Sequence, residues 1–215
     1  MIDFHTHTLF SDGELVPSEL IRRAHVIGYR AIALTDHGDS SNLGIIIPNI
    51  IKACKDVAKF WDIKAIPGIE LTHVPPQLIA PLAEEARGLG AKIIIVHGET
   101  IVEPVLKGTN RAALEADIDI LAHPGLISEE EVILARDNGI CLEITSRKGH
   151  SLTNGHVAGL ARKVGAKLVI SSDAHAPGDL LSLEMAGMVA LGAGLTEEEF
   201  ESLRANSKEL MGKVG

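Results

Sequence analysis

The sequence predicts an α/β protein, a seven-stranded parallel β/α barrel of the TIM-barrel type formed as a single domain over residues 1–215. Three observations lead there. Seven short aliphatic runs are apolar on both faces, which suits buried parallel strands better than half-exposed antiparallel ones. Helical patterns with readable ends fill the intervals, as repeated β-α units require. Polar residues follow every run, and the C-terminal end of the strands is where barrels gather their chemistry. An open doubly wound sheet fits the β-α alternation too, but it concentrates its chemistry at one switch point.

The strands are expected at Ile2–His5, Ala31–Thr35, Lys64–Ile69, Lys92–Val96, Ile118–Ala122, Ile140–Ile144 and Lys167–Ile170. Between the first two, Pro17-Ser18-Glu19 opens a helix that Gly28 closes, with Leu20, Ile21, Ala24 and Ile27 on one face. Ile47, Ile50, Ile51, Cys54, Val57, Ala58 and Trp61 keep a 3.6-residue period, so Trp61 belongs to a packed face. Ser128-Glu129-Glu130-Glu131 is a capping box for a helix ending at Gly139. Thr153 or Asn154 caps the next helix, and Thr196 to Glu199 form a second capping box ahead of the C-terminal helix. No linker, low-complexity tract or repeat divides the chain.

Composition narrows the function. The formal charge is −9, and aromatics make up only 3%. A generic nucleic-acid or acidic-membrane surface needs clustered Lys and Arg, so neither long nucleic acid nor membrane is an expected partner. The N-terminus lacks a signal-peptide pattern, and no apolar run reaches the ~20 residues of a membrane span, which points to the cytoplasm. Cys54 and Cys141 read as buried thiols in a reducing compartment.

The ten histidines are distributed by strand. His5-Thr6-His7 follows the first strand, with Asp12 in the next loop, and Thr35-Asp36-His37-Gly38 follows the second. Gly68-Ile69-Glu70 ends the third, His97-Gly98-Glu99 the fourth, His123-Pro124-Gly125 the fifth, Glu143-Ile144-Thr145 the sixth and Ser172-Asp173-Ala174-His175 the seventh. Residues i and i+2 of a strand point the same way, so His5 and His7 can address one ion, and Asp173 and His175 one ion or two adjacent ones. Imidazole mixed with carboxylate suits Zn²⁺, Mn²⁺ or Fe²⁺ better than Mg²⁺ or Ca²⁺. A single such histidine is ordinarily a hydrogen-bonded core residue; five strands ending in one at the same face call for metal.

These motifs, HTHT with Asp12, TDHG, GIE, VHG, AHPG and SDAH in that order, resemble the PHP superfamily of polymerase-associated and histidinol phosphatase domains over essentially the whole chain. The resemblance implies a distorted seven-stranded β/α barrel. It also implies a ligand set of His5, His7, Asp12, His37, Glu70, His97, His123, Asp173 and His175, with none substituted. His5, His7, Glu70 and Asp173 would hold one ion, Glu70 would bridge to a second on His97 and His123, and Asp12, His37 and His175 would hold a third, giving two to three divalent ions in all. A water shared by two such ions would lose its proton near neutral pH and attack a phosphoryl group whose charge the ions neutralise. Glu70, Asp173 and His175 carry the catalytic roles. Asp36 and His175 are candidates for handling the leaving-group proton, with Asp36 reading better as an orienting partner of a ligand.

For substrate contacts, Arg147 in Ser146-Arg147-Lys148-Gly149-His150 could pair with a phosphate, and related phosphatases of the family carry a similar stretch. Lys148 and His73 are further candidates, a solvated loop position being the plain alternative for each. Asn110-Arg111 could play the same part or begin a helix. His25 suits a helix's last turn. His150 and His156 have no spacing pattern behind them, and Glu143 reads as a supporting residue. The expected substrate is a small phosphomonoester, histidinol phosphate being the family's best-known one. A nucleotide phosphatase, phosphodiesterase or short-oligonucleotide exonuclease stays open. An amidohydrolase fits less well, because Lys64 and Lys92 begin their strands, away from the catalytic end. A non-catalytic PHP module would be expected to have lost ligands.

Overall fold

The computed structural model describes residues 1–214. Strands lie at Ile2–Asp3 (β1), Ala31–Leu34 (β2), His37–Gly38 (β3), Lys64–Leu71 (β4), Ile93–His97 (β5), Ile120–Ala122 (β6), Cys141–Thr145 (β7) and Leu168–Ser171 (β8). Helices lie at Pro17–Val26 (α1), Leu43–Val57 (α2), Pro76–Leu89 (α3), Thr109–Leu114 (α4), Glu129–Asn138 (α5), Asn154–Val164 (α6), Leu183–Gly192 (α7) and Glu197–Val214 (α8). All pairings are parallel, in the order β1-β2-β4-β5-β6-β7-β8. The short β3 pairs His37 with Glu70 in the register that β2 holds lower down, so β2 and β3 are one stave interrupted at Thr35-Asp36. Seven staves therefore form the wall. A bridge between Thr6 and Ala174, with the His7 amide donating to the Ala174 carbonyl at 2.9 Å, draws the two edges into a nearly closed barrel.

Strand alternation divides the core in two. Ala31, Ala33, Ile66, Ile93, Ile95, Ile120, Ala122, Cys141 and Val169 fill the barrel interior with Phe4. Their neighbours Ile32, Leu34, Ile69, Leu71, Ile94, Val96, Leu121, Leu142, Ile144, Leu168 and Ile170 face the helices. Leu210 and Val214 of α8 join the interior cluster. The last helix therefore plugs the N-terminal end of the barrel and leaves the other end for chemistry.

Both capping boxes form. Ser128 accepts from the Glu131 amide while Glu131 reaches back to Ser128, and Thr196 and Glu199 do the same. Trp61 lies past the end of α2 and packs, partly buried, against the core. Thr153 precedes α6 without a side-chain cap, and Asn154 instead bonds both the amide and the carbonyl of Thr145, fixing the end of β7. The two thiols are buried and free. No described helix is long and apolar enough to cross a membrane.

Candidate metal centre

The inward-facing residues of the wall run apolar and then polar. Above Ile66 and Gly68 stands Glu70, above Ile93 and Ile95 stands His97, above Cys141 stands Glu143, and above Val169 and Ser171 stands Asp173. Each polar side chain is the next member of the two-residue repeat that built the hydrophobic floor. His123 breaks phase, one residue past Ala122, and takes a left-handed backbone with φ 25°. Its ring lies 4.4 Å from that of His97 and 5.6 Å from that of His5. Glycines let the neighbouring loops nest: a Cβ on Gly98 would meet the Ala122 carbonyl oxygen at 2.3 Å, and one on Gly125 would meet that of Glu99.

All nine residues of the expected ligand set converge at this end. His5 Nε2 lies 3.3 Å from Glu70 and 3.7 Å from Asp173, and His7 Nε2 lies 3.2 Å from Asp173 and 3.8 Å from Glu70. His123 Nε2 is 3.7 Å from Glu70 and 3.6 Å from Asp173. Asp12 faces His37 at 3.4 Å and His175 at 3.3 Å. Ligand atoms cluster as His7, Asp12, His37 and His175; as His5, His7 and Glu70; as His5, His123 and Asp173; and as His97, His123 and His150.

Buried polar atoms normally find partners. Here His5 Nε2, both ring nitrogens of His7, His123 Nδ1 and Glu70 Oε1 are buried without a hydrogen bond. Buried imidazole and carboxylate donors left without partners and gathered within 4.8 Å of one another are what a divalent ion would satisfy, so the residues present fit such a group. The electrostatics agree. Burial, reinforced by His37 and His5, holds His7 well below the ordinary imidazole range, and burial with His97 does the same to His123. Burial and the crowd of carboxylates push Asp173 up to about 7. Burial opposes charge on His37 too, but Glu70 and Asp12 override it and raise the imidazole to about 10.

Supporting contacts fix the ligands. Glu143 accepts from His5 Nδ1 at 2.8 Å and from the His123 amide at 3.0 Å, so one buried carboxylate orients two ligands. Asp36 touches no ligand side chain. It accepts hydrogen bonds from the amides and hydroxyls of Thr8 and Ser11, and so shapes the loop that carries Asp12. Those contacts suit Asp36 to orienting a neighbouring ligand loop. Asp3 bonds the His5 and Ser172 amides and the Tyr29 hydroxyl across the barrel seam.

A cavity of about 280 Å³ opens over the cluster, lined by Asp12, His37, Thr72, His73, His97, Glu103, His123, Arg147, His150, Asp173 and His175. Arg147 and His73 therefore stand at the site, and Arg147 is braced by Asp179 at 3.3 Å. Lys148 is exposed and does not line the cavity. Asn110 is buried scaffolding that bonds Glu99 and Pro124, while Arg111 pairs with Glu115 on the surface. His156 bonds the Ile127 carbonyl. Two residues without a sequence signal join the site. His150 stacks on His123 at 4.2 Å, and Glu103 meets His73, His97 and His150. Glu103 sits on a loop and His150 opens a short 3₁₀ turn, where no periodicity announces direction.

A family model described as PHP domain matches residues 3–152. The chain is 52% identical over 215 residues to an uncharacterized protein of Methanocaldococcus jannaschii, covering 99% of each. It is 26% identical to a probable phosphatase of Thermoanaerobacter sp., covering 100% of this chain and 97% of that one. Identity to ribonuclease P protein component 3 of Methanosarcina mazei is 29%, covering 98% and 88%. Among solved structures, the fold overlays a chain of an archaeal ribonuclease P bound to mature tRNA with TM-score 0.74 at 17% identity, covering 96% and 89%. It overlays histidinol phosphate phosphatase from Lactococcus lactis, complexed with Zn, L-histidinol and phosphate, with TM-score 0.63 at 17% identity, covering 91% and 94%. At such identities the overlays speak to fold alone.

Proposed function

The chain belongs to the PHP domain family, and from that premise we propose that it is a metal-dependent phosphoesterase acting on a small phosphomonoester. His5, His7, Glu70 and Asp173 would hold one divalent ion, Glu70 with His97 and His123 a second, and Asp12, His37 and His175 a third. Zn²⁺, Mn²⁺ or Fe²⁺ suits that mixture of donors. Such ions, when bound, supply Lewis-acid neutralisation of phosphoryl charge and acidify water. The observation that carries the proposal is the set of buried donor atoms left without partners beside a cavity that an arginine also lines.

The chain's own groups divide the remaining work. Glu143 holds His5 and the His123 backbone in place. Arg147 offers a planar fork of N–H donors to the non-bridging phosphoryl oxygens. His175 is partly buried at the cavity mouth, 3.3 Å from Asp12, and as a ligand of the third ion would serve the leaving-group side through that ion's neutralisation of the departing alkoxide. The cavity is of metabolite size rather than polymer size. The probable-phosphatase relative supports a phosphatase reading, and a monoester presents the dianion that the ions and Arg147 would neutralise together. The test compares kcat/KM for p-nitrophenyl phosphate, bis-p-nitrophenyl phosphate, histidinol phosphate and short single-stranded oligonucleotides at matched metal and salt. Preference for a monoester is expected; preference for the diester or the oligonucleotide would overturn the substrate class.

A second reading, a protein subunit of a ribonucleoprotein, is favoured by the ribonuclease P component 3 relative. The complete donor set tells against it as the sole role, since RNA docking requires none of those nine side chains.

A further inference from the structure

Glu103 is the one carboxylate at the cavity that comes from a loop tip rather than from a strand end or the loop beside it. Its Oε2 lies 3.0 Å from His73 Nε2 and 3.2 Å from His97 Nε2, and its Oε1 lies 3.3 Å from His150 Nε2. The base of this β5–α4 loop is fastened independently, because Glu99 accepts from the amides of Gly108 and Asn110 at 2.8 and 3.0 Å. The tip has little of its own to hold it. Ile101, Val102 and Leu106 are exposed, and among the described residues the only side-chain hydrogen bond from 101–107 is that of Glu103 to His73.

The hydrogen bonds of His97 sharpen the point. His97 Nδ1 faces the Gly98 carbonyl at 3.2 Å, and a carbonyl only accepts, so the ring proton sits on Nδ1. His97 Nε2 is then a bare lone pair, 3.2 Å from a carboxylate oxygen that is also an acceptor. Two acceptors that close need a cation between them, a proton or a metal ion. Donors sharing one zinc-sized ion lie roughly 3.0–3.5 Å apart, which covers the Glu103 contacts with His97 and His150, while His73 is its hydrogen-bond partner. His150 has its Nδ1 tied to Thr100 Oγ1 at 2.7 Å, which leaves its Nε2 directed at the same place.

We propose that Glu103 and His150 are further ligands of the ion seated on His97 and His123, so that metal binding latches the β5–α4 loop over the cavity. The inference rests on the metal-dependent reading above. In that reading the first ion has Glu70 and Asp173, and the third has Asp12. The second has two imidazoles and only a share of Glu70, so it is the seat short of both donors and negative charge. Glu103 supplies a carboxylate of its own, and His150 a third imidazole already stacked on His123. The latch makes loop order and occupancy of that seat one equilibrium.

The test is hydrogen exchange with and without Mn²⁺ or Zn²⁺ on the full chain, together with calorimetric metal titration, for wild type, E103A and H150Q. In wild type the ion should protect amides 101–107 as well as those near 5–8 and 172–175. In E103A the strand-end protection should remain, the loop protection should vanish, and one equivalent should bind about tenfold or more weakly; H150Q should weaken the same equivalent. Equal loop protection in E103A, or unchanged affinity for every equivalent, would overturn the latch and leave the metal site standing. A wild type that takes up no metal would overturn the proposed function, and the latch with it.

Discussion

Three non-glycine residues adopt left-handed backbone, His73 at φ 53°, His123 at φ 25° and Asp173 at φ 53°, and all three line the cavity. Such conformations cost about 1–3 kcal/mol each and persist where surrounding structure enforces them. The cluster is thus assembled against local preference, and its members are expected to be individually sensitive. Glu70 is wholly buried, not merely at a rim, with a carboxyl that burial disfavours but His5 and His37 hold well below the usual range. E70A should therefore cut turnover by at least about a thousandfold, as loss of a main electrostatic group does. It should also lower metal content by one equivalent or more while far-UV circular dichroism stays that of the wild type. Elemental analysis and a chromogenic ester assay check both, and wild-type activity in E70A would remove Glu70 from the site.

In chelator-treated protein, His37 sets a pH dependence whose sign follows from its raised imidazole. Its stabilisation is fully present below the unfolded value near 6.5 and is lost as pH rises toward about 10. The Tm of wild type should fall across that window more than that of H37Q; identical slopes would show that His37 does not contribute. At this scale the sequence exposed its candidate ligands where strand parity or a tight HxH pair dictates direction, as with His5, His7 and Glu70. It concealed Glu103 and His150 because the target of a residue on a loop or a short 3₁₀ turn depends on three-dimensional neighbours.

At the scale of elements, capping boxes and strand positions were legible because they are local chemistry. The return of His37-Gly38 to the sheet was not, since that pairing depends on β4 continuing to Leu71 beside it. Asn154 looked like a cap and serves instead as the clasp on Thr145, directly before the turn that bears Arg147. That clasp, with Asp179, holds the guanidinium at the cavity wall. R147A should lower kcat/KM for a phosphomonoester by about 10–100-fold, the worth of a hydrogen bond to a charged group, chiefly through KM. R147K should recover only part of this, because an ammonium lacks the planar fork. Metal content should stay constant in both variants. Unaltered kinetics at subsaturating substrate would return Arg147 to the role of a surface charge.

The whole molecule separates its two ends: α8 closes the N-terminal mouth of the barrel, and the candidate metal-binding residues gather at the other. The surface around this arrangement bears on the ribonucleoprotein alternative. The chain carries −9, and many of its cations are already spoken for: Arg162 by Glu199, Lys167 and Lys213 by Glu209, Lys163 by Glu129, Arg87 by Asp117 and Asp119, and Arg204 by Glu201. A protein that grips an RNA backbone alone neutralises several phosphates and releases their counterions, which gives affinity a steep salt dependence. The paired cations are spread over α3, α6, α8 and the segment before β8, and the net charge of −9 opposes a polyanion, although Lys55, Lys64 and Lys92 line one surface cleft. The isolated protein should therefore leave a structured RNA such as tRNA unshifted in a gel at micromolar concentration and about 150 mM salt. It should also show only a shallow salt slope at lower ionic strength. The metal-loaded form belongs in the same experiment, because bound ions reverse the field inside the cavity without altering the outer surface. Micromolar RNA affinity that falls steeply with salt, and that survives removal of the metal, would favour the ribonucleoprotein role over the small-substrate one. Affinity that appears only with metal and is competed by a small phosphomonoester would place the RNA contact in the cavity itself.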